Sequence, residues 1–389
     1  MTMTAYATTT KTFHWLTALM IITIIPLGAF ANDLPITTDA EVAFKTLLFS
    51  IHKTLGVAVF GVALARIAYA VTRTKPAGLH PDRKLETMLA ESVHWLLYLS
   101  LVLVPLTGWI HHSAAAITAP IWIPFAQALP FIPKDPTVSD FFGALHGLWA
   151  KILIGAILLH FAGAMKHHFI DKDSTLRRMW FGHKTLYPRA QHSSRLPPFI
   201  AAGIFALVAG AGAATGMLTH AKSTAPALVS VASDWAVTQG TVGITVDQLG
   251  NAVSGQFTDW VAAITFDETA PVQAGGVTAT INIGSLELGA VTSQAMGPDF
   301  FDQTQFPNAV FNADLIREGA NYLADGTLSI KGISVPVVMP FTVTIDGDTA
   351  TMTGALQLDR RDFTIGESMT DAGNLGFVVD VQIELTATR

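Results

Sequence analysis

His146–Phe169 reads HGLWAKILIGAILLHFAGAMKHHF, an apolar run that opens on one histidine, carries a second fourteen residues later and ends on Lys166-His167-His168. As a helix it turns about 100° and rises about 1.5 Å per residue, which puts His146 and His160 within roughly 40° of one face and roughly 21 Å apart along it. An imidazole in hydrocarbon is costly unless it has a partner, so histidines in such a run are functional by default. One helix thus offers two ligands at two depths, and other helices must supply their partners.

Working outward, five apolar stretches are long enough to cross a hydrocarbon core of roughly 30 Å: Phe13–Ala31, Leu47–Val71, Val93–Ile110, Phe141–Met165 and Pro198–Leu218. The first also resembles a signal peptide, with Lys11 ahead of it and Ala29-Phe30-Ala31 as a cleavage-like site. His14 inside it and four further spans favour a retained helix. Basic residues are held on the cytoplasmic side. The loop with Arg73, Lys75, Arg83 and Lys84 is therefore expected there, as is the segment with Lys166, Lys172, Arg177, Arg178, Lys184, Arg189 and Arg195. The amino terminus then starts in the cytoplasm, and everything after the fifth span lies outside it.

Composition agrees. The 389 residues are 50% hydrophobic and only 13% charged, about half the share usual in soluble domains. The net charge of −6 conceals a split, with 17 basic and 10 acidic residues up to position 200 and 6 against 19 beyond it. No nucleic-acid partner is expected. All 13 histidines lie at or before His220, and there is no cysteine. Disulfides, thiolate metal sites, iron–sulfur clusters and covalent haem attachment are thereby excluded.

His14 opens the first span on the cytoplasmic side, and His52 opens the second on the other side. Depth then pairs His14 with His160 and His52 with His146. Two bis-imidazole pairs in a four-helix bundle are what two b-type haems need, and with both axial positions filled such sites suit electron transfer. Arg66, fourteen residues after His52, shares its face and is placed to pair with a haem propionate. Lys151, five residues after His146, and Lys53, next to His52, are read the same way, with snorkelling as their bland alternative. His94, His111, His112, His183 and His192 are read as interfacial or loop residues.

Four segments carry a family resemblance: Thr12–Leu16 (TFHWL), His52–Gly56 (HKTLG), His94–Trp109 (HWLLYLSLVLVPLTGW) and the opening stretch. Over about residues 8–182 the chain resembles the bacterial cytochrome b561 family of four-helix di-haem membrane proteins, some of which oxidise superoxide and reduce ubiquinone. The resemblance implies that His14, His52, His146 and His160 are axial ligands and that His167 contacts a quinone. Independently, His167 lies seven residues past His160 on nearly the same face. His168, its neighbour at the helix end, is read with it as a candidate cofactor-binding residue, with a hydrated interfacial pair as the alternative.

From about Ser223 the pattern becomes strand-like. Phe377, Val379, Val381, Ile383 and Leu385 alternate with polar residues, and Asp325-Gly326 is a hairpin turn signal. Segments Val242–Leu249, Ala252–Phe266, Gly276–Leu288, Leu328–Ile345 and Thr349–Phe363 extend the series, so a roughly eight-stranded antiparallel barrel is expected. The motifs AVSGQF (252–257), ATINIGSL (279–286), PDFFDQTQFPNAVF (298–311), GTLSIKGISVP (326–336) and RRDFTI (360–365) resemble the YceI-like family. That resemblance implies a lipocalin-like barrel holding an isoprenoid chain. Thr364 stands where the family usually has glycine. A barrel filled by its own side chains is the alternative.

The expected organisation is a cytochrome domain over 8–182, a basic cytoplasmic linker over 183–197, a fifth transmembrane helix over 198–218, a periplasmic tether over 219–229 and a YceI-like barrel over 230–389. The tether residues Thr219–Pro226 span at most roughly 29 Å. The expected function is electron transfer in the bacterial inner membrane between a periplasmic one-electron reactant, plausibly superoxide, and a membrane quinone. Outer Lys45, Lys53, Lys134 and Lys151 are candidates for steering an anion. The barrel is expected to bind an isoprenoid lipid or quinone. The alternative is a polyprenyl lipid carrier whose helices only anchor it. A zinc-dependent membrane enzyme lacks the HExxH spacing.

Overall fold

The computed structural model describes residues 3–73, 76–80, 82–115, 118–182, 186–188, 195–218, 228–229 and 232–389. His183, His192, Lys75, Lys184, Arg189 and the Thr219–Pro226 tether lie outside them. Contacts divide the chain into two compact units, residues 1–34 with 45–221 and residues 35–44 with 222–389.

In the first unit a two-stranded antiparallel pairing joins β1 (Met3–Thr4), before the first helix, to β2 (Tyr187–Pro188), before the last. Its helices are α1 (Thr8–Asp33), α2 (Asp39–Val71), α3 (Lys84–Ala114), α4 (Pro136–Phe169), the single turn α5 (Thr175–Arg178) and α6 (Leu196–Ala214). All but α5 are long and apolar enough to cross a membrane, and the chain is a multi-pass membrane protein. Local chemistry sets their starts. Asp135 caps α4 by accepting from the N–H groups of Thr137 and Val138 at 2.7 and 3.2 Å, with Pro136 in the first turn. Thr38 and Glu41 form a reciprocal capping box at the head of α2. Ile21, Val59, Leu101 and Leu153 meet in one buried cluster and so draw α1 to α4 together. A second cluster, Leu96, Ala156, Ala201 and Phe205, seats α6 against α3 and α4.

The second unit is a curled antiparallel sheet of ten strands in the order β5-β6-β8-β9-β10-β11-β12-β3-β4-β7. Their ranges are β3 Ala236–Gln248, β4 Asn251–Phe257, β5 Trp260–Phe266, β6 Gln273–Asn282, β7 Leu286–Glu287, β8 Asn308–Glu318, β9 Asn321–Ile330, β10 Ile333–Asp346, β11 Thr349–Asp359 and β12 Leu375–Thr388. In β10 the alternation puts Val337, Met339 and Phe341 inside and Pro336, Val338 and Pro340 outside. The edge strands β5 and β7 do not pair with each other. At one end the curl is joined by the N–H groups of Asp234 and Trp235 donating to Ile264 O, at 3.1 and 3.3 Å, and by Ser233 Oγ accepting from Ile264 N at 2.7 Å.

Two expectations are corrected here. The count rises from about eight to ten: 252–266 breaks at Thr258-Asp259 into β4 and β5, 276–288 holds both β6 and the short β7, 328–345 turns at Lys331-Gly332 between β9 and β10, and β8 lies outside the segments read from alternation. Asp325-Gly326 is no turn: both residues lie inside β9, with Gly326 opposite Val337 on one side and Ala313 on the other. A Cβ on Gly326 would lie 2.0 Å from Asn312 O, so this glycine permits close backbone approach rather than reversal. Thr364 adopts φ 51°, ψ 30°, the left-handed region where glycine carries no steric penalty. The barrel thus accepts a strained residue at the position noted in the sequence.

Candidate haem and quinone sites

The structure brings the four transmembrane histidines together in two pairs. The rings of His14 and His160 have centroids 6.1 Å apart, and those of His52 and His146 are 6.3 Å apart. An imidazole nitrogen lies about 1.1 Å from its ring centre and binds a metal at about 2.0–2.1 Å, so two rings on opposite sides of one ion have centroids about 6.3 Å apart. Both pairs match that spacing.

The His52–His146 pair is also oriented. His52 Nδ1 donates to Ile24 O at 3.0 Å, and His146 Nδ1 donates to Val104 O at 2.9 Å. A carbonyl only accepts, so each ring is held in the tautomer that leaves the Nε2 lone pair for a metal. Glycine makes the approach possible. A Cβ on Gly28 would meet His52 Cε1 at 2.5 Å, and one on Gly108 would meet His146 Nδ1 at 2.9 Å. Each glycine lies four residues after the accepting carbonyl, so one bare turn of α1 or α3 forms the notch into which the ring fits. The donor set, its tautomers and its ring spacing therefore fit haem iron. Gly28→Ala is expected to push His52 out of this notch and weaken haem retention at that pair alone, as read by haem-to-protein absorbance against wild type.

His111 uses the same device: its Nδ1 donates to Ser139 O at 2.8 Å, with Gly143 four residues on. Contrary to the interfacial reading, His112 beside it is only 2% exposed. The segment after α3 folds back over this helix end, with Trp109 Nε1 donating to Ala126 O at 2.9 Å and Leu129 N to Ser113 Oγ at 2.9 Å. His94 stands edge-on to His160 with ring centroids 5.0 Å apart, closer to that pair than its sequence position suggested.

Among the charged candidates, Arg66 is half-buried, lies 5.4 Å from the Tyr98 ring and acts electrostatically on His14 and His160. Lys53 is half-buried with Nζ 3.4 Å from Ala119 O and 6.0 Å from the Phe49 ring. Lys151 is exposed on α4, as is Lys134 before it. Lys45 donates to Leu34 O at 2.7 Å.

At the end of α4, His167 joins a polar cluster rather than standing alone. Its Nδ1 lies 2.7 Å from Asp173 Oδ2 and 3.1 Å from Asp171 Oδ2. His80, which the sequence reading passed over, donates from Nε2 to the same Asp173 oxygen at 3.0 Å, and its ring stacks on that of His167 at 9°. Burial would raise the Asp173 carboxyl, but hydrogen bonds from Thr175, His80 and His167 together hold it far below the usual carboxylate range. His168 is exposed and, among the described residues, has one ring contact, to Phe169, so the two adjacent histidines have different surroundings.

In the second unit the sheet wraps an apolar cavity of about 270 Å³. Phe257, Phe311, Val337, Met339 and Leu356 are among its walls, and Gln248, Gln294 and Arg360 are the polar residues lining it. Gln294 Oε1 is buried there without a hydrogen-bond partner among the described residues.

Comparison with known proteins follows the same division. Residues 5–182 match the family model for prokaryotic cytochrome b561, and residues 235–387 match that for the YceI-like domain. "Cytochrome b561 homolog 2" of Escherichia coli K12 is 28% identical over 175 residues, which are 45% of this chain and 90% of that protein. "Probable superoxide oxidase CybB" of Yersinia pestis is 26% identical over 170 residues, 43% of this chain and 90% of that one. The crystal structure of Burkholderia cenocepacia BcnA is 30% identical and covers 40% of this chain and all of its own, with a TM-score of 0.37. Membership of the first family implies binding of haem b, for which the paired histidines are suited. The chain is a prokaryotic cytochrome b561 domain joined to a carboxy-terminal YceI-like domain.

Proposed function

We propose that the membrane half conducts electrons between a one-electron reactant on the periplasmic side and ubiquinone at the cytoplasmic end of α4, through two haems b held by His52 with His146 and by His14 with His160. The carrying observation is that both pairs hold the ring spacing of an imidazole–metal–imidazole sandwich. Haem held there would supply reversible one-electron exchange. The protein's own residues do the rest. Ile24 and Val104 fix two ring tautomers, Arg66 places a cation beside the other pair, and His167 offers a proton-bearing nitrogen where a quinone would need protons.

Superoxide as the reactant rests on the similarity to the Yersinia protein. Lys53 at the His52–His146 pair is a cation suited to drawing in that anion. The barrel is proposed to lie on the periplasmic side, a reading the basic loops of the membrane half support, and to hold an isoprenoid lipid or quinone, which its apolar cavity supports. A lipid carrier with a purely anchoring helical half is the less favoured reading, because an anchor has no use for two matched histidine pairs.

The test is ubiquinone-analogue reduction by purified full-length protein supplied with superoxide, with lipids in its organic extract analysed by mass spectrometry. Superoxide-dependent quinol formation that disappears in His146→Ala supports the conduit. Quinol formation unchanged in that variant sinks it. A chain ending near Leu196 is expected to keep this activity while losing any co-purifying isoprenoid lipid.

A further inference from the structure

We propose that His80, His167, Asp171 and Asp173 form a binding site for one divalent transition-metal ion of the zinc class. Their four ligand atoms lie within 4.8 Å of one another, although they come from the segment before α3, the last turn of α4 and the loop after it. Two imidazole nitrogens converge on a single oxygen, Asp173 Oδ2, at 3.0 and 2.7 Å, and Asp171 Oδ2 is 3.1 Å from His167 Nδ1. Ligands of a tetrahedral ion at bonds of about 2.0–2.1 Å lie about 3.3 Å apart, so the three short separations open by a few tenths of an ångström while the widest, at up to 4.8 Å, closes further to admit the ion. Two imidazoles with two carboxylates are donors that zinc accepts readily.

The surroundings add a second, independent observation. Each carboxylate has its other oxygen held from behind. Thr175 N–H donates to Asp173 Oδ1 at 2.8 Å, and Arg83 Nη1 donates to Asp171 Oδ1 at 3.0 Å. Such outer hydrogen bonds aim the free oxygens at a common point, as they do around metal ligands in general. Both carboxylates are largely withdrawn from solvent, with side chains 9% and 11% exposed. Among the described residues, Glu86, Asp171 and Asp173 pair with the cations Arg83 and Lys166 and with the imidazoles of His80 and His167, so with neutral imidazoles one negative charge is left over. Lys166, which contacts Asp171 at 2.9 Å, retains Glu86 as its partner when an ion takes that oxygen.

An ion on Nδ1 would fix the His167 proton on Nε2, the nitrogen that faces away from Asp173. The site does not depend on the quinone reading, and its test reads binding rather than electron transfer. Full-length, haem-loaded protein is dialysed against buffered zinc and assayed for metal and haem, with His80→Ala and the isosteric Asp173→Asn in parallel. The expected result is one zinc per chain held at micromolar or tighter affinity and weakened at least a hundredfold in both variants, with haem absorbance unchanged. X-ray absorption should then show nitrogen and oxygen ligands at about 2.0–2.1 Å. Zinc bound equally by wild type and both variants, or not bound by wild type, overturns the proposal.

Discussion

Replacing His52 by alanine is expected to remove one of two haems per chain and leave the other in place, halving the haem-to-protein ratio. His52 faces His146 at a ring separation of 6.3 Å and contributes one side of that site; its Nδ1 is already used by Ile24 O. His111, held by the same kind of glycine notch, is turned to Ser139 O instead. The other site lies roughly 21 Å further along α4, beyond the reach of the cavity that alanine leaves. A pyridine haemochrome assay reads the ratio directly. Loss of both haems from a chain whose helices still insert would show that the sites are not independent.

A second large effect is expected in the barrel, where Arg360→Ala should lower stability by about 3–5 kcal/mol. Arg360 is 3% exposed. Its Nε donates to Gly376 O at 2.9 Å, Nη1 to Ile365 and Gly366 O at 2.8 and 2.7 Å, and Nη2 to Met369 and Leu375 O at 2.6 and 3.1 Å. All five guanidinium N–H groups are thus spent on backbone carbonyls, tying the loop after β11 to the start of β12. Alanine removes the guanidinium donors from all five carbonyls; Gly366 O keeps the N–H of Met369 at 3.0 Å. For a domain of this size the loss corresponds to a fall in Tm of roughly 10 °C by calorimetry. Lysine, with three donors on one atom, should rescue little of it. A Tm within a degree or two of wild type would mean that water replaces the guanidinium at no cost.

Much of the membrane half was legible because its two signals, hydropathy over a span and a 3.6-residue period, are local properties of the chain. The spacing of His146 and His160 on one helix dictated two depths, and depth alone chose the partners His14 and His52. The glycine notches were legible too, had Gly28 and Gly108 been compared with their carbonyls four residues back. His80 could not be found that way: it joins Asp171 and Asp173 from a separate loop, and only the packing of α3 on α4 brings them together. In the barrel, alternation located the strands but not their breaks. Asp325-Gly326 shows why, since the same dipeptide serves a tight turn or a close crossing of strands, and the neighbours that decide between them lie far away in sequence. Lys151 shows a different limit of spacing: it lies five residues, more than one helical turn, after His146, and its side chain is exposed on α4.

The central claim, two bis-histidine haem sites in one chain, is tested most directly by low-temperature electron paramagnetic resonance of the oxidised full-length protein, with spins counted against protein concentration. The account predicts two low-spin ferric signals summing to two spins per chain, because each site would hold its haem between two imidazoles. A high-spin signal, or a single low-spin species at one spin per chain, would contradict it.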